Sequence, residues 1–311
     1  MEEAVRSLFG RSIDSRLWKV ASVDETKRKT AAMLKLETSQ LFAHYIDMVE
    51  IEISAACNRR CEYCPQSLIG RPQELMPVEM FLDAVICLKK LNFQGTLAFH
   101  QYNEPLLAGD HLFTCINLVK KHLPTVKTAV FTNGALLTPG RVQAPARAGV
   151  AKLTVSRHWG NGETWDHDRA MADIADRGGR LGVRFGLFDP AAYCVEARVR
   201  DMLLQVKAPD LRTGGSSRLG TVNTARRGKT TPRVCHLMFR ELHIAYSGTA
   251  YICCECSCEG VPDFAPYALA SLKDTSLLGI FEAKLPYMRD YLFGALPKAC
   301  RVCNGWDDEE P

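Results

Sequence analysis

The sequence predicts an α/β fold in which parallel strands form a sheet or partial barrel, followed by a smaller C-terminal unit. Short apolar strands alternate with helices from residue 48 onward, and polar residues follow the carboxyl ends of several of these strands. α/β barrels place their chemistry at those strand ends. A second pattern after residue 240, two alternating runs that flank Ser247-Gly248, predicts a β-hairpin in the C-terminal unit.

The chain divides into three predicted regions. Residues 1–45 are charged and amphipathic, which predicts one or two helices packed outside the barrel. Residues 46–230 carry the strand and helix alternation of the barrel, and residues 231–311 form the C-terminal unit with its hairpin and a helix at 279–292. The acidic tail at 307–310 is predicted to be frayed and solvated.

Within the barrel region the elements follow one another in a regular order. Strands are predicted at 48–53, 96–100, 128–131, 152–156 and 181–187, helices at 77–91, 111–123 and 139–148, and polar loops at 160–168 and 212–229. Pro145 lies inside the third helix and weakens that assignment, because proline removes a helical hydrogen bond.

Composition and charge exclude several classes of protein. The hydrophobic fraction of 47% and the charged fraction of 24% are those of an ordinary globular protein. A net charge of +4 over 311 residues is too weak to indicate a nucleic-acid partner. No apolar run is long enough to span a bilayer, and the N-terminus lacks a signal-peptide core. These features predict a cytoplasmic protein without a membrane partner.

The sequence contains 13 cysteines, and most of them are clustered. In a reducing compartment, such clusters indicate metal or redox chemistry and argue against disulfides. The clusters lie at 57–64, 253–258 and 300–303, with Cys235 on its own. Cys87, Cys115 and Cys194 stand alone in apolar surroundings and are predicted to be small core residues.

The first cluster has a spacing suited to an iron–sulfur centre. Cys57, Cys61 and Cys64 are separated by three and then two residues. Thiolates are the usual ligands of a [4Fe–4S] cluster, so three local cysteines would leave one iron open for another ligand. A zinc knuckle is the alternative, but zinc takes four ligands, often in CxxC pairs, and no second CxxC lies nearby.

This loop resembles the CxxxCxxC signature of the radical S-adenosylmethionine (SAM) enzymes. The resemblance implies a partial (β/α)6 TIM-like barrel, with the amino and carboxylate groups of SAM on the open iron. It also implies that Glu104 binds the SAM amino group, that Tyr63 lies against the adenine, and that Asn133 and Ser156 contact the ribose or carboxylate. The family has Gly before the glutamate where this chain has Asn103, and Asn tolerates positive φ better than most residues.

The later cysteines resemble the twitch domain, the short form of the SPASM domain. The pattern consists of Cys235, Gly248, Cys253 and the CxxC pair Cys300 and Cys303. The resemblance implies one auxiliary [4Fe–4S] cluster on these four cysteines, which makes two [4Fe–4S] clusters and SAM the expected cofactors. A structural zinc site on the same thiols is the alternative.

From about residue 48 to residue 306, the chain resembles the aminoglycoside-tailoring radical SAM enzymes, a group that includes the neomycin C epimerase and the 2-deoxy-scyllo-inosamine dehydrogenase. The likeness extends over the cysteine loop, residues 99–105 and 132–134, the twitch cysteines and residues 278–280. It implies an aminoglycoside substrate, contacts from Tyr102 and Arg218, and a charge-assisted contact between Glu255 and a substrate ammonium. An external flavodoxin-like or ferredoxin-like electron donor is also implied.

The reaction type depends on Cys254, which stands where the dehydrogenase carries Phe. In this family a 5′-deoxyadenosyl radical removes hydrogen from a substrate carbon. If the Cys254 thiol returns hydrogen to the opposite face, the product is an epimer, and this is the predicted reaction. If a base takes the hydroxyl proton and the auxiliary cluster takes an electron, the product is a ketone. More distant alternatives are a peptide-modifying radical SAM enzyme and an iron–sulfur carrier, and the sequence leaves open which of Cys254, Cys256 and Cys258 is free.

Overall fold

The computed structural model describes residues 36–160, 162–189, 193–210, 216–222, 235–292 and 295–303. Most of the predicted N-terminal helical region, most of the loop at 212–229 and the acidic tail lie outside these residues. Within them, no helix has the length and apolarity needed to cross a membrane.

The described residues contain eight α-helices and ten strands. The helices are α1 (Thr38–Tyr45), α2 (Val78–Lys90), α3 (Asp110–His122), α4 (Pro139–Arg147), α5 (His167–Leu181), α6 (His236–Arg240), α7 (Leu277–Leu292) and α8 (Lys298–Val302). The strands are β1 (Met48–Ile51), β2 (Thr96–Ala98), β3 (Lys127–Thr132), β4 (Lys152–Ser156), β5 (Leu187–Asp189), β6 (Cys194–Val199), β7 (Met202–Lys207), β8 (Glu241–Ile244), β9 (Thr249–Tyr251) and β10 (Ala268–Ser271).

All of these strands belong to one sheet, in the order β10-β9-β8-β1-β2-β3-β4-β7-β6-β5. The six central strands, from β8 to β7, pair in parallel, and antiparallel strands flank them at both ends. The predicted α/β fold with a parallel partial barrel is therefore confirmed. Its sixth parallel strand is β8, which comes from the predicted C-terminal unit and pairs with β1 at the register Met48 to Glu241.

The central strands are buried on both faces, as parallel sheets usually are. Val49, Leu97, Val130 and Leu153, one from each of the strands β1 to β4, have no exposed surface. Helices α2 and α3 cover the sheet with apolar residues one turn apart, while their lysines lie on the opposite face. This rigid core holds the carboxyl ends of β1 to β4 side by side.

The predicted elements between residues 48 and 156 are present, with bounds that differ by one or two residues. Helix α4 forms in spite of Pro145. The predicted C-terminal hairpin is formed by β8 and β9, and its turn depends on Gly248, whose φ of 94° lies in a region that favours glycine.

The predicted strand at 181–187 is wrong. Leu181 is the last residue of α5, and Gly182 closes this helix in the left-handed conformation at φ 63°. Leu181, Val183 and Phe185 alternate with polar residues or glycine as a strand would, but Val183 and Phe185 instead pack on the core from a connecting segment. Strand β5 begins only at Leu187.

Candidate active site

The carboxyl ends of β1 to β4 surround a cavity of about 270 Å³. Nine of the residues predicted for cofactor, metal or substrate line this cavity: Cys57, Cys61, Cys64, Tyr63, Tyr102, Glu104, Asn133, Ser156 and Arg218. Residues up to 161 positions apart in the sequence thus meet in one chamber, since Cys57 and Arg218 both form part of its wall. Cys254 and Glu255 are not among the lining residues.

The cysteine loop presents three thiols to the cavity. Cys61 is buried, whereas Cys57 and Cys64 are half-buried. The loop is tight, because the Cys64 backbone N–H donates to the Cys61 carbonyl at 3.0 Å. Burial raises the pKa of Cys57, and it raises the pKa of Cys64 to about 11. Three thiols on one cavity wall fit a [4Fe–4S] cluster with one open iron. They supply one ligand too few for a structural zinc site.

Glu104 is the buried carboxylate of the cavity. Its two oxygens accept hydrogen bonds from the Thr132 hydroxyl at 2.6 Å, the Asn133 N–H at 2.7 Å and the Leu106 N–H at 3.2 Å. Burial raises the pKa of Glu104, and these three hydrogen bonds oppose that rise. The Glu104 N–H donates to the Ala56 carbonyl at 2.8 Å and so fixes the carboxylate beside the cysteine loop.

Asn103, which replaces the family glycine, does not use a positive φ. Its side-chain amide donates to the Ser54 hydroxyl at 3.2 Å, and its oxygen accepts from the Gln101 N–H at 3.2 Å. The side-chain hydrogen bonds of Asn103 therefore stabilise the turn. The tolerance of Asn for a positive φ, which the sequence suggested would matter, is not used.

Tyr63 is paired with a residue that the sequence did not single out. Its ring stacks on His158 with centroids 6.0 Å apart, and its hydroxyl lies 2.9 Å from His158 Nδ1. Burial and then the nearby arginines lower the pKa of His158 to about 4. The imidazole is therefore neutral, and this hydrogen bond ties it to the Tyr63 hydroxyl. The sequence feature that could have indicated His158 is its position two residues beyond the end of β4, where polar residues of the site are expected.

Asn133 links two walls of the cavity. Its side-chain amide donates to Asn58 Oδ1 at 2.8 Å, and its oxygen accepts from the Ala135 N–H at 2.9 Å. Asn58 belongs to the cysteine loop, so the loop is tied to the end of β3. Ser156 ends β4 on the next wall.

The predicted substrate residues contact one another. Arg218 forms an ion pair with Glu255 at 3.0 Å and lies over the Tyr102 ring at 5.5 Å. The Ser216 hydroxyl also donates to the Glu255 carboxylate. Glu255, expected to bind a substrate ammonium, is thus held by Arg218. An ammonium could reach it only by sharing or displacing the guanidinium.

Tyr102 is fixed from both ends. Its hydroxyl donates to the Cys254 carbonyl at 2.5 Å. Its backbone N–H donates to Glu52 at 3.0 Å, and Glu52 in turn accepts two hydrogen bonds from Arg71 at 2.8 and 2.5 Å. The Glu52 and Arg71 side chains are 0% and 1% exposed. This buried ion pair was not predicted, and it positions a wall of the cavity.

The four predicted auxiliary ligands lie close together. Burial raises the pKa of Cys235 to about 12, and the thiols of Cys253 and Cys303 add to the rise. Burial and then Cys253, Cys235 and Cys303 likewise raise the pKa of Cys300. Thiols are the donors that either a second cluster or a zinc ion would use. Cys256 is also near, with its sulfur 3.9 Å from that of Cys253.

Cys254 lies beside the half-buried Glu241 and the buried His243, and it is outside the cavity lining. Its sulfur and one ligand atom each of Glu241 and His243 all lie within 4.8 Å of one another. Cys254 is half-buried, and its sulfur is 4.0 Å from Glu255 Oε1. Its backbone carbonyl accepts a hydrogen bond from the hydroxyl of Tyr102, a residue of the cavity wall.

Comparison with known proteins gives a family match and structural likenesses. Residues 51–177 match the family model of the radical SAM superfamily. Over 115 residues the chain is 34% identical to the S-adenosyl-L-methionine-dependent 2-deoxy-scyllo-inosamine dehydrogenase of Niallia circulans, a match that covers 36% of this chain and 45% of that relative. The match therefore spans less than half the length of this relative.

Two solved structures resemble the chain over most of its length. BtrN in complex with AdoMet and 2-DOIA has a TM-score of 0.60 and 20% identity, covering 83% of this chain and 93% of that one. An open conformation of BtrN has a TM-score of 0.54 and 19% identity, covering 83% and 92%. At this level of identity, the likeness demonstrates a shared fold.

Proposed function

From the match of residues 51–177 to the radical SAM superfamily, we propose that this radical SAM enzyme oxidises a hydroxyl-bearing carbon of an aminocyclitol or amino sugar to a ketone. One observation carries the proposal: a single cavity holds the three thiols of the cysteine loop, the buried Glu104 and the polar pair Tyr102 and Arg218. The residues proposed for the cofactors and those proposed for the substrate thus line the same cavity.

The residues of the cysteine loop and Glu104 would hold the cofactors. When bound, a [4Fe–4S] cluster and SAM supply a 5′-deoxyadenosyl radical that takes a hydrogen atom from carbon. Cys57, Cys61 and Cys64 provide the three thiolates. Glu104 accepts three hydrogen bonds from the protein, and because two carboxylate oxygens have about four lone-pair sites, it can still accept from an ammonium. The neutral His158 orients Tyr63 on the adenine side.

Two observations favour a ketone product. Among the described residues, the Cys254 thiol is not part of the cavity lining, which favours a ketone over hydrogen return from this thiol. The relative with 34% identity is named a dehydrogenase. Epimerisation through Cys254, the reaction expected from the sequence, remains the second candidate, because Cys254 adjoins Glu255, whose partner Arg218 forms part of the cavity wall.

The remaining predictions belong to the same proposal. They are an auxiliary [4Fe–4S] cluster on Cys235, Cys253, Cys300 and Cys303, an aminoglycoside substrate, a flavodoxin-like or ferredoxin-like electron donor, and a cytoplasmic location. The division at residues 46–230 and 231–311 also stays a prediction. Strand β8 crosses that division by pairing with β1.

The product identifies the reaction. The enzyme is incubated anaerobically in D2O with SAM, dithionite and either 2-deoxy-scyllo-inosamine or neomycin C. We expect a product that is lighter than its substrate by two hydrogens. It should form in step with 5′-deoxyadenosine, as read by mass spectrometry. Cys254→Ala should give the same ketone. A product with one carbon-bound deuterium, lost in Cys254→Ala, would replace the dehydrogenase proposal by the epimerase.

Iron analysis tests the auxiliary cluster. The reconstituted enzyme should carry about eight irons per chain, and Cys300→Ala about four, because one of two four-iron clusters loses a ligand. Cys87→Ala, a half-buried cysteine of α2, is the matched control and should keep about eight. About four irons plus one zinc in the unmodified enzyme would instead establish the zinc alternative.

A further inference from the structure

Three titratable side chains, two of them buried and one half-buried, form a row between β1, β2 and β8 that the steps above do not use. Glu50 of β1 lies in the middle, with Oε2 2.9 Å from Nδ1 of His243 and Oε1 3.7 Å from Nδ1 of His100. His243 is fully buried, and the Glu50 side chain is 10% exposed. The Glu50 carboxyl group is therefore hydrogen-bonded to His243 and lies within ion-pair distance of His100, and of these two rings only His100 lines the cavity.

The His100 ring is fixed in orientation. It follows β2 and stacks on Phe131 of β3, with centroids 4.1 Å apart and an interplanar angle of 20°. Its Nδ1 is buried on the side of Glu50 and has no hydrogen-bond partner among the described residues. Since Nδ1 is turned toward Glu50, Nε2 is the ring nitrogen left for a ligand in the cavity.

The surroundings make His100 a proton acceptor. Burial lowers the pKa of His100, Glu50 opposes the shift, and His243 and Arg218 add to it. The imidazole is therefore neutral at pH 7. When it is protonated, the Glu50 carboxylate can stabilise the imidazolium.

His243 stays neutral as well, because burial lowers its pKa to about 4. Glu241 and Glu255 face it with negative charge, and Lys284 and Arg218 face it with positive charge. With Nδ1 2.9 Å from Glu50 Oε2, this neutral ring holds the carboxyl group in place. Burial raises the pKa of Glu50, and His100 and Arg218 oppose that rise.

We propose that His100 is the base that accepts the hydroxyl proton of the substrate, and that Glu50, held by His243, positions the His100 ring. The inference depends on the proposed dehydrogenase function. In the step, the hydroxyl-bearing carbon loses its hydrogen atom to the 5′-deoxyadenosyl radical. The O–H bond then breaks, with the proton passing to His100 Nε2. The remaining unpaired electron leaves to an iron–sulfur acceptor, and the C–O bond becomes C=O.

The test separates hydrogen abstraction from proton transfer. With 2-deoxy-scyllo-inosamine deuterated at its ring carbons, deuterium in 5′-deoxyadenosine reports abstraction and the ketone reports the later steps. In His100→Gln we expect deuterium transfer within about threefold of the unmodified enzyme but at least about 100-fold less ketone, the usual contribution of a general base. Binding of the same compound in the presence of SAM without reductant, measured by equilibrium dialysis, should change less than about threefold.

Glu50→Gln tests the positioning role. The Glu50 carboxylate opposes the lowering of the His100 pKa, so its removal should move the acid limb of the ketone-against-pH profile to lower pH. Ketone yield should fall about tenfold with deuterium transfer retained. His111→Gln, which changes a histidine of α3 outside the cavity, is the matched control and should leave both readouts unchanged.

Failure of the inference differs from failure of the proposed function. If the unmodified enzyme makes 5′-deoxyadenosine but no ketone, the dehydrogenase proposal fails, and the role of His100 fails with it. If the unmodified enzyme makes ketone and His100→Gln makes it at the same ratio to 5′-deoxyadenosine, only the inference is overturned. Ketone restored to His100→Ala by added imidazole would support the role of the ring itself.

Discussion

Cys61→Ala is expected to reduce 5′-deoxyadenosine formation by more than about 100-fold. Cys61 is the buried member of the three thiols that line the cavity, and its loss leaves the loop with two ligands for a cluster that needs three from the protein. Changes to residues that merely support metal ligands already cost about 10–100-fold, so loss of a ligand should cost more. The measurement is anaerobic SAM cleavage with dithionite, read by chromatography.

Cys87→Ala is the control for Cys61→Ala. Both changes remove one thiol from a core position, but Cys87 lies on α2 away from the cavity. The control should cleave SAM at the normal rate. Cleavage by Cys61→Ala at more than a tenth of the normal rate would mean that the cysteine loop does not hold the reactive centre.

Arg71→Met is expected to lower the free energy of unfolding by about 3–5 kcal/mol, the usual effect of removing one partner of a buried ion pair. The Glu52 carboxylate has no exposed surface, so the change leaves an unpaired charge in the core. Total stabilities are about 5–15 kcal/mol, so the loss is a large fraction of the whole. Anaerobic urea unfolding of the reconstituted enzyme measures it.

A second variant identifies the cause. Glu52→Gln combined with Arg71→Met removes both charges but keeps an oxygen that can accept from the Tyr102 N–H, so it should recover most of the lost stability. Arg180→Met breaks an exposed pair with Asp176 and should cost only about 0–1 kcal/mol. A cost below about 1 kcal/mol for Arg71→Met would show that the buried pair does not stabilise the fold.

The sequence predicted the parts of the site that depend on short spacing. The thiols of the cysteine loop, Glu104 after β2 and Asn133 after β3 each follow a strand, and parallel strands bring such positions to one edge. For the same reason the α/β fold, and the resemblance to radical SAM enzymes that the match of residues 51–177 bears out, could be recognised. The order of the strands could not be derived, because β7 and β8 join the sheet beyond long connections.

The parts that the sequence missed depend on partners far apart in the chain. Glu50 and Glu52 look like ordinary positions of an alternating strand, and their partners, His243 and Arg71, are 193 and 19 residues away. The same limit applies to Glu255. Its charge suggested a substrate contact, but the partner that it meets is Arg218. The alternation of apolar and polar residues also led to the wrong prediction of a strand at residues 181–187, where Gly182 ends a helix.

The pairing of β8 with β1 limits how the enzyme can be divided. If the chain stopped at residue 230, β1 would lose the neighbour to which it hydrogen-bonds along four residue pairs. The apolar Val49 and Ile51, now without exposed surface, would then lie on an open sheet edge, which promotes aggregation. The part of the chain from β8 onward is therefore not a detachable module. C-terminal regions could be exchanged between related enzymes to change the reaction. Such an exchange should succeed only when β8 and β1 come from the same parent protein.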